Sequence, residues 1–132
     1  MYATVNLKER YKQDYISTAS PADLIIMLYE GCIKKIKLAQ IYLESGDIEQ
    51  TSSSLMGAQD IIGELMNSLD MSFEISEDLL KLYDFMLSEL VQMNMKKELD
   101  AAPAILNMLT TLKNAWIDAK QKTETSMVCE QY

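Results

Sequence analysis

The chain has 132 residues, 48% of them apolar, a formal net charge of −8 and no histidine. That length fits one domain with enough apolar material for a core, and the missing imidazole removes the usual general base, phosphate acceptor and metal ligand of helical proteins. The acidity argues against a nucleic-acid partner, because phosphate binding draws its affinity from clustered lysine and arginine.

Residues 1–19 form a polar N-terminal arm carrying Tyr2, Leu7, Tyr11 and Tyr15. The last three fall at four-residue spacing and suit a short amphipathic helix with few anchors, either mobile or docked loosely on the body, and expected to cover part of its apolar surface. Ser20-Pro21-Ala22-Asp23 is a helix start: Ser20 can cap, Pro21 suits a first position that needs no amide hydrogen, and Asp23 sits near the positive helix end. The stripe Ile25, Tyr29, Cys32, Ile36, Ala39, Leu43 then predicts a first helix to about Glu44, ended by Ser45-Gly46.

Asp47 is the next cap, followed by the stripe Ile48, Leu55, Ala58, Ile62, Leu65, Leu69, in which Thr51 is the weak position. Ser76 is expected to cap the third helix, with Glu77 and Asp78 in its first turn and the stripe Leu79, Tyr83, Met86, Leu90, Met93 behind them. Lys96 and Lys97 suit its negative end. Asp100 is expected to cap a fourth helix with Pro103 in its first turn and the stripe Ile105, Leu109, Leu112, Trp116, Ala119, where Trp116 is expected to plug the core. Periodicity stops there, so the expected division is an arm (1–19), a bundle (20–120) and a disordered tail (121–132). Short connections force neighbouring helices to run antiparallel. The predicted fold is all-α, an up-down-up-down four-helix bundle with a short N-terminal arm or helix.

No catalytic site emerges from this pattern, and no enzyme activity, cofactor or metal is expected. The Glu-x-x-His pairs of di-iron bundles and the histidine of phosphotransfer bundles are absent, and neither Cys32 nor Cys129 has a candidate base. The acidic pairs Asp60/Glu64 and Glu77/Asp78 read as solvated faces or helix starts. From Gly46 to Asp100 twelve acidic residues face three lysines, an asymmetry that reads as a solubilising face. Free thiols suit a reducing compartment, and no apolar run reaches the length of a membrane span or of a signal-peptide core. A cytoplasmic protein without membrane insertion is expected.

What stands out is an apolar surplus. Leu24-Ile25-Ile26-Met27-Leu28-Tyr29 covers more than a full turn and cannot all face one core, and Leu80, Leu82, Phe85, Leu87 and Val91 add to the stripe of helix three. The surplus either widens the core beneath the arm or lines a groove for a partner helix; ten methionines suit both.

The order of these pieces resembles the flagellin-specific export chaperones, the FliS family. Tyr11, Thr18-Ala19-Ser20-Pro21, Leu24 to Tyr29 and Gly31 match the family's opening, followed by Gly46-Asp47-Ile48, Ala58-Gln59-Asp60-Ile61-Ile62, Leu69-Asp70, Leu82-Tyr83-Asp84-Phe85-Met86, Asn94 and Ala115-Trp116. The resemblance implies a chaperone that binds the C-terminal segment of flagellin in the cytoplasm, prevents premature polymerisation and delivers it to the flagellar export gate. A flagellar regulator is a further candidate partner. By motif position the candidate partner-binding residues are Tyr11, Ile25, Ile26, Met27, Leu28 and Tyr29, with Leu82, Tyr83, Met86 and Asn94. Within the first helix, Ile25 and Tyr29 are expected in the core, and Ile26, about 100° further round, on the surface. A helical-bundle regulatory or structural adaptor with no export role is the alternative.

Overall fold

In a computed structural model of the chain, the backbone is described from residue 21 to residue 131 and the side chains from 21 to 122. The arm, with Tyr11 and the Ser20 cap, and the Cys129 side chain lie outside these residues. Four helices follow one another, α1 (Pro21–Glu44), α2 (Ile48–Asn67), α3 (Glu74–Lys96) and α4 (Ala102–Gln131), with no strand among the described residues. This is the all-α four-helix bundle expected.

Each connection is closed by local hydrogen bonding. Gly46 takes φ 82°, and its amide donates to the Leu43 carbonyl while the Asp47 amide donates to Tyr42. This paired arrangement satisfies the last carbonyls of α1 and requires a left-handed residue where glycine stands. Asp47 then turns to α2, its carboxylate accepting from the Gln50 amide at 3.0 Å. Thr51, the weak position of the stripe, is buried with its hydroxyl donating to the Asp47 carbonyl at 2.7 Å. Its polar group is thereby satisfied inside the bundle.

The third and fourth starts differ from expectation. α3 begins at Glu74 with Phe73 at its cap position and no side-chain capping bond, so Ser76 lies inside the first turn. Its hydroxyl instead donates to the Asp70 carbonyl at 2.6 Å, tying the preceding loop to the helix. α4 begins at Ala102, with the Ile105 amide donating to Ala101, and Asp100 stands one residue too early to cap. At the end of α3, Lys97 adopts φ 55° without being glycine. Its ammonium folds back onto the Asn94 carbonyl and side-chain oxygen, compensating a conformation that costs an L-residue about 1–2 kcal/mol. α4 continues to Gln131, correcting its expected end near Ala119: residues 121–131, expected as a separate tail, extend the helix.

α1 packs against α2 and α4, and α2 packs against α1 and α3, so the side between α3 and α4 is the loosely closed one. The core holds Tyr29, Cys32, Ile36 and Ala39 of α1, Leu55, Ala58, Ile62 and Leu65 of α2, Tyr83, Met86, Leu90 and Met93 of α3, and Ala102, Ile105 and Leu109 of α4. The stripes fail at their ends. Ile48 and Ala119 are exposed, and Leu112 and Trp116 are only partly buried though packed against the core. The Cys32 thiol points at the Ala58 carbonyl, 3.7 Å away, and burial pushes its pKa up to about 12. Such a thiol stays protonated and inert near neutral pH.

Candidate functional site

One end of the bundle collects the start of α1, the end of α2, the start of α3 and the second half of α4, and there it opens into a groove of about 610 Å³. Leu24, Ile25 and Leu28 form one wall, Leu69, Ile75 and Leu79 the other, with Trp116 closing the α4 side and Tyr83 in the floor. Phe73 and Ile75 at the mouth are 62% and 65% exposed. Large apolar side chains held out to water around a concave apolar surface are the mark of an interaction site. The ion pair of Asp23 with Lys120 fixes the start of α1 to α4, which holds Trp116 beside the α1 wall.

Under the floor, the hydroxyls of Tyr29 and Tyr83 lie 2.5 Å apart, and the Tyr29 hydroxyl also takes a hydrogen bond from Trp116. Burial raises both phenols above the usual tyrosine value. For Tyr29 it outweighs the bonds from Tyr83 and Trp116, which pull the other way. The pair stays neutral at physiological pH and joins α1, α3 and α4 through polar contacts at the base of the groove.

Of the residues singled out from the sequence, the structure brings Ile25, Leu28 and Tyr83 to the groove. Ile26, expected on the surface, is 8% exposed, and Ile25, expected in the core, is only partly buried and lines the groove. Ile25 nevertheless packs against the bundle core from its partly buried position, and Ile26 is enclosed rather than on the surface. Tyr29 and Met86 are fully enclosed in the core. Met27 and Leu82 are half-buried away from the groove, and Asn94 is occupied with Lys97 at the far end of α3. Trp116, expected to plug the core, is partly buried, packs against it and also lines the groove. Tyr11 lies outside the described residues.

Glu64, read as part of a solvated acidic face, is also misplaced by sequence reasoning: it is 8% exposed and lines the groove. Phe73, Ile75 and Leu69 were not singled out as site residues. An aromatic in an otherwise polar connection was the signal that could have found Phe73. Among the described residues no group of three or more histidine, cysteine, aspartate or glutamate side chains could hold a metal, and no helix is long and apolar enough to cross a membrane. The arrangement offers shape and apolar surface.

Comparison with known proteins settles the class. The family profile described as "Flagellar protein FliS" matches residues 4–123. The chain belongs to the FliS family. It is 37% identical over 111 residues to the flagellar secretion chaperone FliS of Bacillus subtilis, covering 84% of each chain. It is 33% identical over 104 residues to the flagellar secretion chaperone FliS of Salmonella typhimurium, covering 76% of this chain and 77% of that one. The protein of the same name from Vibrio cholerae is 30% identical over 103 residues, 76% of each. Family membership places the chain among the flagellar secretion chaperones.

Proposed function

We propose that the groove at the Pro21 end of the bundle binds the C-terminal segment of flagellin in the cytoplasm, keeps it from polymerising before secretion and presents it to the flagellar export gate. The observation that carries this reading is the open apolar groove itself, ringed by exposed Phe73 and Ile75, in a member of a family of flagellar secretion chaperones. An unassembled subunit whose amphipathic helices await partners exposes apolar faces that would otherwise find one another. A groove of this kind shelters one such face through helix-in-groove packing. A role of shelter and release asks only for apolar shape and needs no catalytic group in the groove.

The test is co-elution. Purified protein mixed with cognate flagellin on a sizing column should migrate as a complex, and flagellin lacking its C-terminal segment should elute apart from it. Co-elution that survives removal of that segment would move the client site elsewhere. Failure to co-elute with intact flagellin would favour an adaptor without an export role.

A further inference from the structure

Glu64 gives the groove a chemical preference beyond apolar shelter. It stands on α2 between the enclosed Ile61 and Leu65, is itself more than nine-tenths buried, and lines the groove. Its carboxylate has no hydrogen-bond or ion-pair partner among the described residues. No side-chain nitrogen or oxygen among them is both sealed from solvent and unbonded, so the Glu64 oxygens open onto the groove. Among the described residues Asp70 is the only other charged one lining the groove, and its carboxylate already accepts from the Ser72 amide and hydroxyl. None of the described lining residues is basic. The nearby ammonium of Lys120 is paired with Asp23.

Among the described residues nothing seals this carboxylate from the groove, which leaves it open to hydration there. A purely apolar segment filling the groove would expel that water and strand a charge in an apolar site, which is costly. An occupant that brings a cation to the same place replaces the lost hydration with a charge-assisted hydrogen bond. The carboxylate therefore favours one kind of occupant and penalises the other, the two halves of specificity.

We propose that Glu64 is a specificity-determining residue that selects a client segment carrying a lysine or arginine within an apolar stretch, its cationic group seated on the Glu64 carboxylate. This rests on the groove being the client site. The occupant it commits to is an amphipathic segment with a basic residue on its apolar face, fitted to the groove by charge complementarity.

The experiment titrates the C-terminal peptide of the cognate flagellin into the purified protein and into Glu64→Gln, and repeats it with each peptide lysine and arginine replaced in turn by methionine. Glu64→Gln should weaken binding of the parent peptide roughly 10- to 100-fold. One methionine replacement should cause a similar loss with the unmodified protein and little further loss with Glu64→Gln. Parent-peptide affinity unchanged in a folded Glu64→Gln, or a scan in which no basic replacement weakens binding, would overturn the proposal while leaving the client site in place. If Glu64→Gln fails to fold by circular dichroism, the peptide scan on the unmodified protein decides alone. A parent peptide that does not bind the unmodified protein removes the client reading and this proposal together.

Discussion

Ile25 and Ile26 are neighbours in sequence, yet about 100° of helical rotation puts one on the groove wall and leaves the other enclosed away from it. An aspartate should separate the two roles. Ile25→Asp should abolish peptide binding and cost about 1 kcal/mol of stability, since the side chain is only partly buried. Ile26→Asp buries a carboxylate and should cost on the order of 3 kcal/mol, read as a lowered denaturant midpoint. The tyrosine pair makes a different demand. Tyr83→Phe leaves the enclosed Tyr29 hydroxyl short of a partner and should cost about 1–3 kcal/mol. Tyr29→Phe and Tyr83→Phe combined should cost less than their sum, because neither hydroxyl is then left alone. The same residues set an alkaline limit. Cys32 is pushed from 9.0 to about 12, and both tyrosines are raised from 10.0, so the folded chain keeps protons that the unfolded chain loses as pH rises. Stability should be level with respect to these groups below about pH 9 and fall above it. Cys32→Ala should make that decline shallower, as denaturant midpoints from about pH 8 to about pH 11 would show.

At the scale of the elements, the chain advertises those helix ends that depend on backbone chemistry peculiar to one residue type. Gly46 holds φ 82° with no atom within 4 Å of a would-be Cβ, so Gly46→Ala should cost about 1 kcal/mol through backbone strain alone. Thermal unfolding would measure it. Asp47 was equally legible, as a side-chain acceptor three residues before the amide it caps. The start of α3 was not, because Ser76 looks like a cap and serves as an anchor: its hydroxyl reaches back six residues to the Asp70 carbonyl, a partner that spacing rules do not anticipate. The end of α4 escaped for a related reason. Apolar periodicity marks a helix's core-facing stripe, and α4 continues to Gln131 beyond the last residue of that stripe. Core positions common to all four helices were readable in this way, whereas the groove was not. It is made by juxtaposing helix ends with the loop carrying Phe73, and no single stripe contains it. Glu64 shows the limit most clearly, since a carboxylate among apolar neighbours on α2 reads as a solvated face until the neighbouring helix ends enclose it.

At the scale of the molecule, α1 and α2 are each packed on two sides while the α3/α4 side closes loosely, and the groove lies where that laxity meets the bundle end. A long partner segment could therefore begin in the groove and continue along the less tightly closed side without disrupting the α1–α2 core. Binding of this kind buries apolar surface and orders the segment, so it should carry a negative heat-capacity change together with a gain in helical circular dichroism. The most direct measurement is a calorimetric titration of the cognate flagellin C-terminal segment, at several temperatures, into the unmodified protein and into Ile25→Asp. The groove account predicts binding with a clearly negative heat-capacity change for the first, and loss of binding by a still folded Ile25→Asp for the second. Equal affinity for both proteins, or a heat-capacity change near zero, would contradict it.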